Sequence, residues 1–376
     1  MAKRVLITGG AGFIGSNLSL KLIQKGYEVL VLDNLSPQIH GTKKDSALYN
    51  SIRDKVKFIE GDVRDRSAVK SCLNGVNVII HLAAETGTGQ SMYEIEKYID
   101  TNCRGTAVFL ELLQSENHSV EKVILASSRA VYGEGKYQNG KGEIVYPDSR
   151  TESQMNLKKF EPCGPEGEEL QCTATDEKSK VNPLSLYAIT KFNQEQYVRL
   201  ICSSIGIPWV IFRYQNVFGP TQSLKNPYTG ILSIFSTQIK NGNDITIFED
   251  GLESRDFIYI DDAVNATISG IEKKQADNEI FNVGSGVPTS VTNVAQTLKT
   301  LYKSKVAITV TGNYRIGDIR HNYADISKIK KQLNFNPTID FEAGIDKFVM
   351  WVNEQQIEKD TYQKSIDELK AKNLFK

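Results

Sequence analysis

"VLITGGAGFIGS", residues 5–16, decides the fold. Four residues of apolar or β-branched character run into Gly9, Gly12 and Gly15, and Phe13 and Ile14 then open an amphipathic stretch to Lys25. A short apolar strand that turns on glycines into a helix is the start of a βαβ unit, because glycine permits the tight turn and the close approach of helix to strand. The pattern continues outward from there: "YEVLVLD", "VKFIEGD", "VNVIIHLAA" followed by a helix over Glu94 to Gln114, and "VEKVILASS". Near-continuous apolar strands separated by helices predict an α/β fold, a doubly wound parallel sheet covered on both faces.

The 376 residues hold 45 Lys plus Arg and 45 Asp plus Glu, so the chain has no basic surplus, and its 16 Tyr and 15 Phe sit in no basic, aromatic-interleaved run. No nucleic-acid partner is expected. Five scattered cysteines fit a reducing cytoplasm, and no segment approaches the roughly 18 apolar residues that a membrane span needs. Two packed units are expected. Residues 1–216, with about 256–280 returning to them, form the first; 217–255 plus 281–350 form the second. The stretch 136–182 is polar and punctuated by Gly and Pro, a long insertion. Residues 351–376 read as a solvated, charged helix with a loosely held end.

The glycine turn GxxGxxG places backbone donors and a helix N-terminus where a pyrophosphate binds. Asp33 ends the second strand eighteen residues after Gly15. An aspartate there accepts from both ribose hydroxyls of an adenosine and repels a 2′-phosphate, which favours NAD over NADP. Glycines used only for packing are the bland alternative. Asn34 follows Asp33, and Asp62 with Val63, at the end of the third strand, is expected at the adenine edge.

Tyr187 and Lys191 in "NPLSLYAITKFNQEQ" stand four apart and share a helix face. A free phenol titrates near 10, so a general base at neutral pH needs a nearby cation; Lys191 is expected to lower it. Ser128, at the end of "ILASS", can hydrogen-bond the same substrate hydroxyl. The plain alternative is surface chemistry at i, i+4 spacing.

Gly9, Gly12, Gly15, Asp33, Asp62, "HLAA" (Leu82, Ala83, Ala84), Asn102 in "NCRGT", Ser128, Tyr187 and Lys191 together resemble the extended short-chain dehydrogenase/reductase family. "FRYQNVFGP", "ESRDFIYIDDA", "FNVGSG" and "RIGDIRHNYAD" are similar to its nucleotide-sugar branch. The resemblance implies a Rossmann-type NAD domain with a smaller, mixed α/β carboxyl-terminal domain that grips a nucleoside diphosphate. It makes Ser128, Tyr187 and Lys191 catalytic, Asn102 a cofactor contact, and Asn216, Arg255 and Arg315 the diphosphate ligands. It also implies a homodimer through the helices Glu94–Gln114 and Leu184–Ser204.

In dehydratases of this branch, Asp and Glu typically follow the strand-end hydroxyl. Here Arg129 and Ala130 follow it, and neither can do that acid and base work. Oxidation at C4 without elimination remains, which implies a 4-epimerase. "SSRAVYGEG", the long insertion and "PLSLYAITK" resemble the subgroup that converts dTDP-L-rhamnose to dTDP-6-deoxy-L-talose. UDP-hexose or UDP-uronate epimerases, then dehydratases or decarboxylases, are the alternatives, and a noncatalytic NAD sensor is a remote one. Arg129 could reach the ketone, the diphosphate or a loop carboxylate. Glu85, Thr86 and Gln90, after "HLAA", are expected at the sugar. The insertion has Cys163 and then only Cys172, too few ligands for a metal, so none is expected. It could cover the sugar as a lid, decorate the surface or join an oligomer contact.

Overall fold

A computed structural model describes residues 2–42, 46–226, 228 and 230–376. Seven strands form the central sheet: β1 (Arg4–Thr8), β2 (Glu28–Asp33), β3 (Lys57–Glu60), β4 (Val78–His81), β5 (Lys122–Ser128), β6 (Trp209–Tyr214) and β7 (Glu279–Val283). Their spatial order is β7-β6-β5-β4-β1-β2-β3, and every pairing is parallel. The order reverses beside β1, between β1 and β4. In open α/β sheets that reversal opens a crevice beyond the carboxyl ends of the strands. The inner strands are apolar along most of their length because helices cover both faces: Val5 and Ile7 belong to one core cluster and Leu6 to the other, whereas the edge strand β3, KFIE, has exposed charges at both ends.

The first cluster runs on into the second unit without a break, from Leu18 and Leu22 of the helix Phe13–Gln24 to Phe218, Phe257, Phe341 and Phe348. That unit is built on a four-stranded sheet of Asn216–Phe218, Ser254–Tyr259, Pro288–Ser290 and His321–Asn322, with a two-stranded parallel pair, Ile245–Ile247 and Ile308–Val310. The return to the central layer is displaced from its expected 256–280. Ser254–Tyr259 pairs within the small sheet, so the return starts with the helix Ile260–Glu272, which packs on Phe13–Gln24, and ends with β7 at Val283. The apolar run "DFIYI" fits either sheet, and only the pairing of Asn216–Phe218 with Phe257–Tyr259 decides between them.

The tail is not loosely held. Its helix Tyr362–Ala371 buries Ile366 and Leu369, which cluster with Phe375 against Tyr93 and Phe248. The last residues then pair with the segment around Arg315: Tyr314 and Lys376 exchange backbone hydrogen bonds at 3.0 Å each way. Tyr362, Ile366 and Leu369 are spaced i, i+4, i+7, one helical face, and that face outweighs the charged remainder.

Candidate functional site

The strand ends open into one cavity of about 600 Å3 that runs from the glycine turn, past Ser128 and Tyr187, to Arg255, Arg315 and Tyr362. Its volume lies within the usual range for ligand sites. All but three of the residues expected at the site line it; the exceptions are Asp62, Gln90 and Asn102.

At one end the backbone leaves room that side chains would fill. Gly9 has φ +69°, and a Cβ there would stand 2.7 Å from the backbone nitrogen of Ala83; one on Gly15 would stand 2.5 Å from the Gly9 oxygen. The helix Phe13–Gln24 starts immediately after, with its first amides facing the turn. Asp33 is buried and fixed by the amides of Ala11 (3.0 Å) and Leu35 (2.9 Å), with His40 Nε2 at 3.6 Å. A carboxylate so held, beside a glycine cradle at a helix N-terminus, fits a dinucleotide with free ribose hydroxyls.

Asp62 turns away. Arg64 grips both its oxygens at 2.8 Å, Asn34 donates to it at 2.9 Å, and these bonds hold the carboxyl down at about 2. Asn102 is fully buried in a π-helical turn, Ile99–Arg104, where it clamps both backbone groups of Glu85 and donates to Thr190 at 2.9 Å. It positions the loop rather than facing the cavity. Gln90 is buried against Gln38 and Glu94 and so does not reach the sugar region, whereas Glu85 and Thr86 line it.

At the centre, Ser128 closes β5 and caps the short turn Arg129–Tyr132, accepting from the Ala130 amide at 3.1 Å. Tyr187 and Lys191 come from the helix Leu186–Ser204. Tyr187 is half-buried on the cavity wall, and its desolvation pushes the phenol up; a hydrogen bond to Ser128 and the charge of Arg129 pull it back. The expected cation, Lys191, is hydrogen-bonded to the strand β5. Its ammonium donates to the Ala126 carbonyl at 2.9 Å, and burial brings it down to about 8 against the opposing pull of Glu195 and Cys103. Arg129, set aside as chemically inert for acid and base work, is the cation that Tyr187 feels. Beneath them Glu195 is locked by Arg213 (2.9 and 2.7 Å) and Ser127 (2.5 Å), which fixes the helix against β5 and β6.

At the far end three arginines line the cavity. Arg129 donates to Asn216 at 3.1 Å, and Arg255 donates to the carbonyls of Ser254, Arg320 and Ile319 at 2.8 Å. Neither makes an ion pair among the described residues, while Arg315 pairs with Asp318 at 2.7 Å. Burial and the like charge of Arg255 lower Arg129 to about 9, so it is still cationic at neutral pH. Uncompensated guanidiniums on a cavity wall are an anion site.

No residue of 136–182 lines this cavity. The insertion instead braces the loops that do. Arg150 reaches Glu249 at 2.8 Å, Arg320 binds Glu161 and Asp250, and Tyr314 donates to Asn156 at 2.7 Å. Sequence reasoning missed Phe248, Tyr362 and Asp318 as cavity residues; the i+3 spacing of Asp318 from Arg315 was the one visible sign of their pairing.

A dinucleotide cradle, a serine, tyrosine and lysine set, and an arginine-rich anion end in one cavity define an NAD-dependent enzyme that works on the carbinol of a phosphorylated substrate. Residues 5–160 and 161–284 match the NAD dependent epimerase/dehydratase family, and the chain belongs to it. Its cofactor is NAD, and it is an enzyme of the nucleotide-sugar epimerase class. It is 35% identical to a dTDP-L-rhamnose 4-epimerase of Burkholderia thailandensis, over 94% of this chain and 96% of the relative. Among solved structures it is similar to the UDP-glucose 4-epimerase of Thermotoga maritima with UDP-glucose. The TM-score is 0.74 at 29% identity, covering 93% of this chain and 99% of that one. It is likewise similar to the UDP-glucuronic acid 4-epimerase of Bacillus cereus in complex with UDP-glucuronic acid and NAD, at TM-score 0.76 and 25% identity, with coverage of 93% and 99%. Among the described residues no helix is long and apolar enough to cross a membrane.

Proposed function

We propose that the protein is a 4-epimerase of a dTDP-6-deoxyhexose that interconverts dTDP-L-rhamnose and dTDP-6-deoxy-L-talose. The observation that carries this reading is an intact Ser128, Tyr187 and Lys191 set followed by Arg129 and Ala130, with the relative named for dTDP-L-rhamnose in support. NAD would supply the hydride acceptor and donor for the sugar C4, and its positive charge would add to the cations around the phenol. Gly9, Gly12, Gly15 and Asp33 would hold it, and Lys191 would be available to its nicotinamide ribose.

Tyr187, as phenolate, takes the proton of the C4 hydroxyl, and Ser128 donates a hydrogen bond to that oxygen. A 4-keto sugar results. The ketone turns over about its diphosphate tether, hydrogen returns to C4 on the opposite face, and Tyr187 gives the proton back to the oxygen. No net redox change occurs and nothing is eliminated, because Ala130 can neither protonate a leaving hydroxyl nor take a proton beside the ketone. Arg129, Arg255, Arg315 and Asn216 hold the diphosphate through the rotation.

The direct test is mass spectrometry and proton NMR of dTDP-L-rhamnose, UDP-glucose and UDP-glucuronate after incubation with purified protein. A new sugar of unchanged mass from dTDP-L-rhamnose alone is expected. Conversion of a UDP-sugar instead moves the assignment to the UDP-hexose or UDP-uronate reading, which the solved neighbours favour. Loss of water or carbon dioxide refutes epimerisation. We also infer self-association through the helical run Ile95–Ser115, which covers the expected Glu94–Gln114, and the helix Leu186–Ser204, because Ile95, Ile99, Ile189 and Leu200 are exposed there. Light scattering of an Ile99→Glu, Leu200→Glu double variant should then report a monomer and the parent chain a dimer.

A further inference from the structure

The tail reaches the substrate end of the cavity by three routes. Tyr362 lines the cavity itself, and its ring lies nearly parallel to that of Phe248, at 22° with centroids 6.4 Å apart. Phe375 meets the same Phe248 ring edge-on at 5.1 Å, and the Arg315 guanidinium lies 5.4 Å from its centroid. The chain end is paired along the backbone of residues 314–316, so the tail also sets where Arg315 stands. Glu368 meanwhile accepts from Tyr93 at 3.0 Å and from Tyr228 at 2.6 Å, tying the loop after β4 to the loop of the second unit.

Two flat aromatic faces beside guanidiniums match a nucleoside diphosphate end to end: rings for the base, cations for the phosphates. A base is a planar π system, and stacking on aromatic side chains is how proteins hold one with little regard to its hydrogen-bonding edge. We propose that the C-terminal segment 361–376 is part of the substrate site: Tyr362, with Phe248, forms the aromatic wall against which the nucleobase packs, and Glu368 latches that wall across the two loops. The inference rests on the nucleotide-sugar reading and adds to it a residue from a segment whose composition marks it as solvated.

The test is calorimetric binding of dTDP, UDP and inorganic pyrophosphate to the full chain, with NAD binding followed separately by fluorescence. Tyr362→Ala should weaken dTDP and UDP by about tenfold or more. Pyrophosphate, which has no base, and NAD should bind the variant as they bind the parent. Tyr362→Phe keeps the ring and should bind dTDP within about threefold of the parent. Unchanged dTDP affinity in Tyr362→Ala overturns the proposal, as does a parallel loss of pyrophosphate, which would give the tail a purely structural role. If Tyr362→Ala does not fold, Tyr362→Leu, which keeps apolar bulk, decides by the same ratio of dTDP to pyrophosphate affinity. A parent chain that binds NAD but neither dTDP nor UDP refutes the nucleotide-sugar reading beneath it.

Discussion

The two ends of the cavity are built in opposite ways. The cofactor end comes mainly from one βαβ unit: the glycine turn, the helix behind it and Asp33 lie within about thirty residues of each other. The substrate end gathers Arg129, Asn216, Phe248, Arg255, Arg315 and Tyr362 from six separated stretches. A site made by local geometry is as rigid as its turn. One assembled over long range depends on the buried ion pairs and tail contacts that hold its pieces in register. The difference predicts which changes abolish chemistry, which loosen the fold and which only retune the site.

The largest effect is expected at the junction of the two ends. Tyr187→Phe keeps the ring and its packing but has no proton to give, so kcat should fall by about 10^2 to 10^4-fold while NAD still binds. A variant that keeps most of its turnover would remove Tyr187 from its proposed role.

Next comes the brace of the substrate end. Arg320 is fully buried and reaches Glu161, Glu249 and Asp250. Arg320→Ala leaves Glu161 and Asp250 to water and Glu249 to Arg150 alone, and the loss of the buried guanidinium with its bonds should cost about 1–3 kcal/mol in urea unfolding. Near-parental stability would mean that the insertion decorates the second unit rather than bracing it.

The smallest expected effect is electrostatic. Arg129 lowers the Tyr187 phenol, so Arg129→Met should let it rise and move the ascending limb of the kcat profile to higher pH. The loss should then be greatest at low pH and shrink as the pH rises; one unit of displacement means about tenfold on the limb. A profile that drops uniformly would leave Arg129 as a binding group only.

The same contrast governs how much could be read from the sequence. The parallel sheet and the cofactor end were legible because their signals are contiguous: apolar strand, glycines, helix and an acid at a fixed interval. Asp62 shows what local reading leaves out, since its carboxylate pairs with Arg64 two residues on. Gln90 and Asn102 have polar side chains of the right type, but only the folded chain shows Gln38, Thr190 and Glu85 as their partners. The tail hid for a compositional reason. Its charges suggested a solvated helix, while Tyr362, Ile366 and Leu369 already marked a face that needed a surface to cover it.

The π-helical turn at Ile99–Arg104 has a consequence for how this chain can change over generations. A residue added to a helix rotates everything on one side of it by about 100° relative to the other. Here the wide turn absorbs that rotation, so Asn102 faces inward to Glu85 and Thr190 while Ile95 and Ile99 face outward. Deleting one codon within 99–104 would restore regular α-helical bonding, yet it would swing one of these faces out of place. Shortening this helix is therefore closed to small steps, whereas the surface hairpin of the insertion at Gly140 and Lys141, far from any such phase, is open to them.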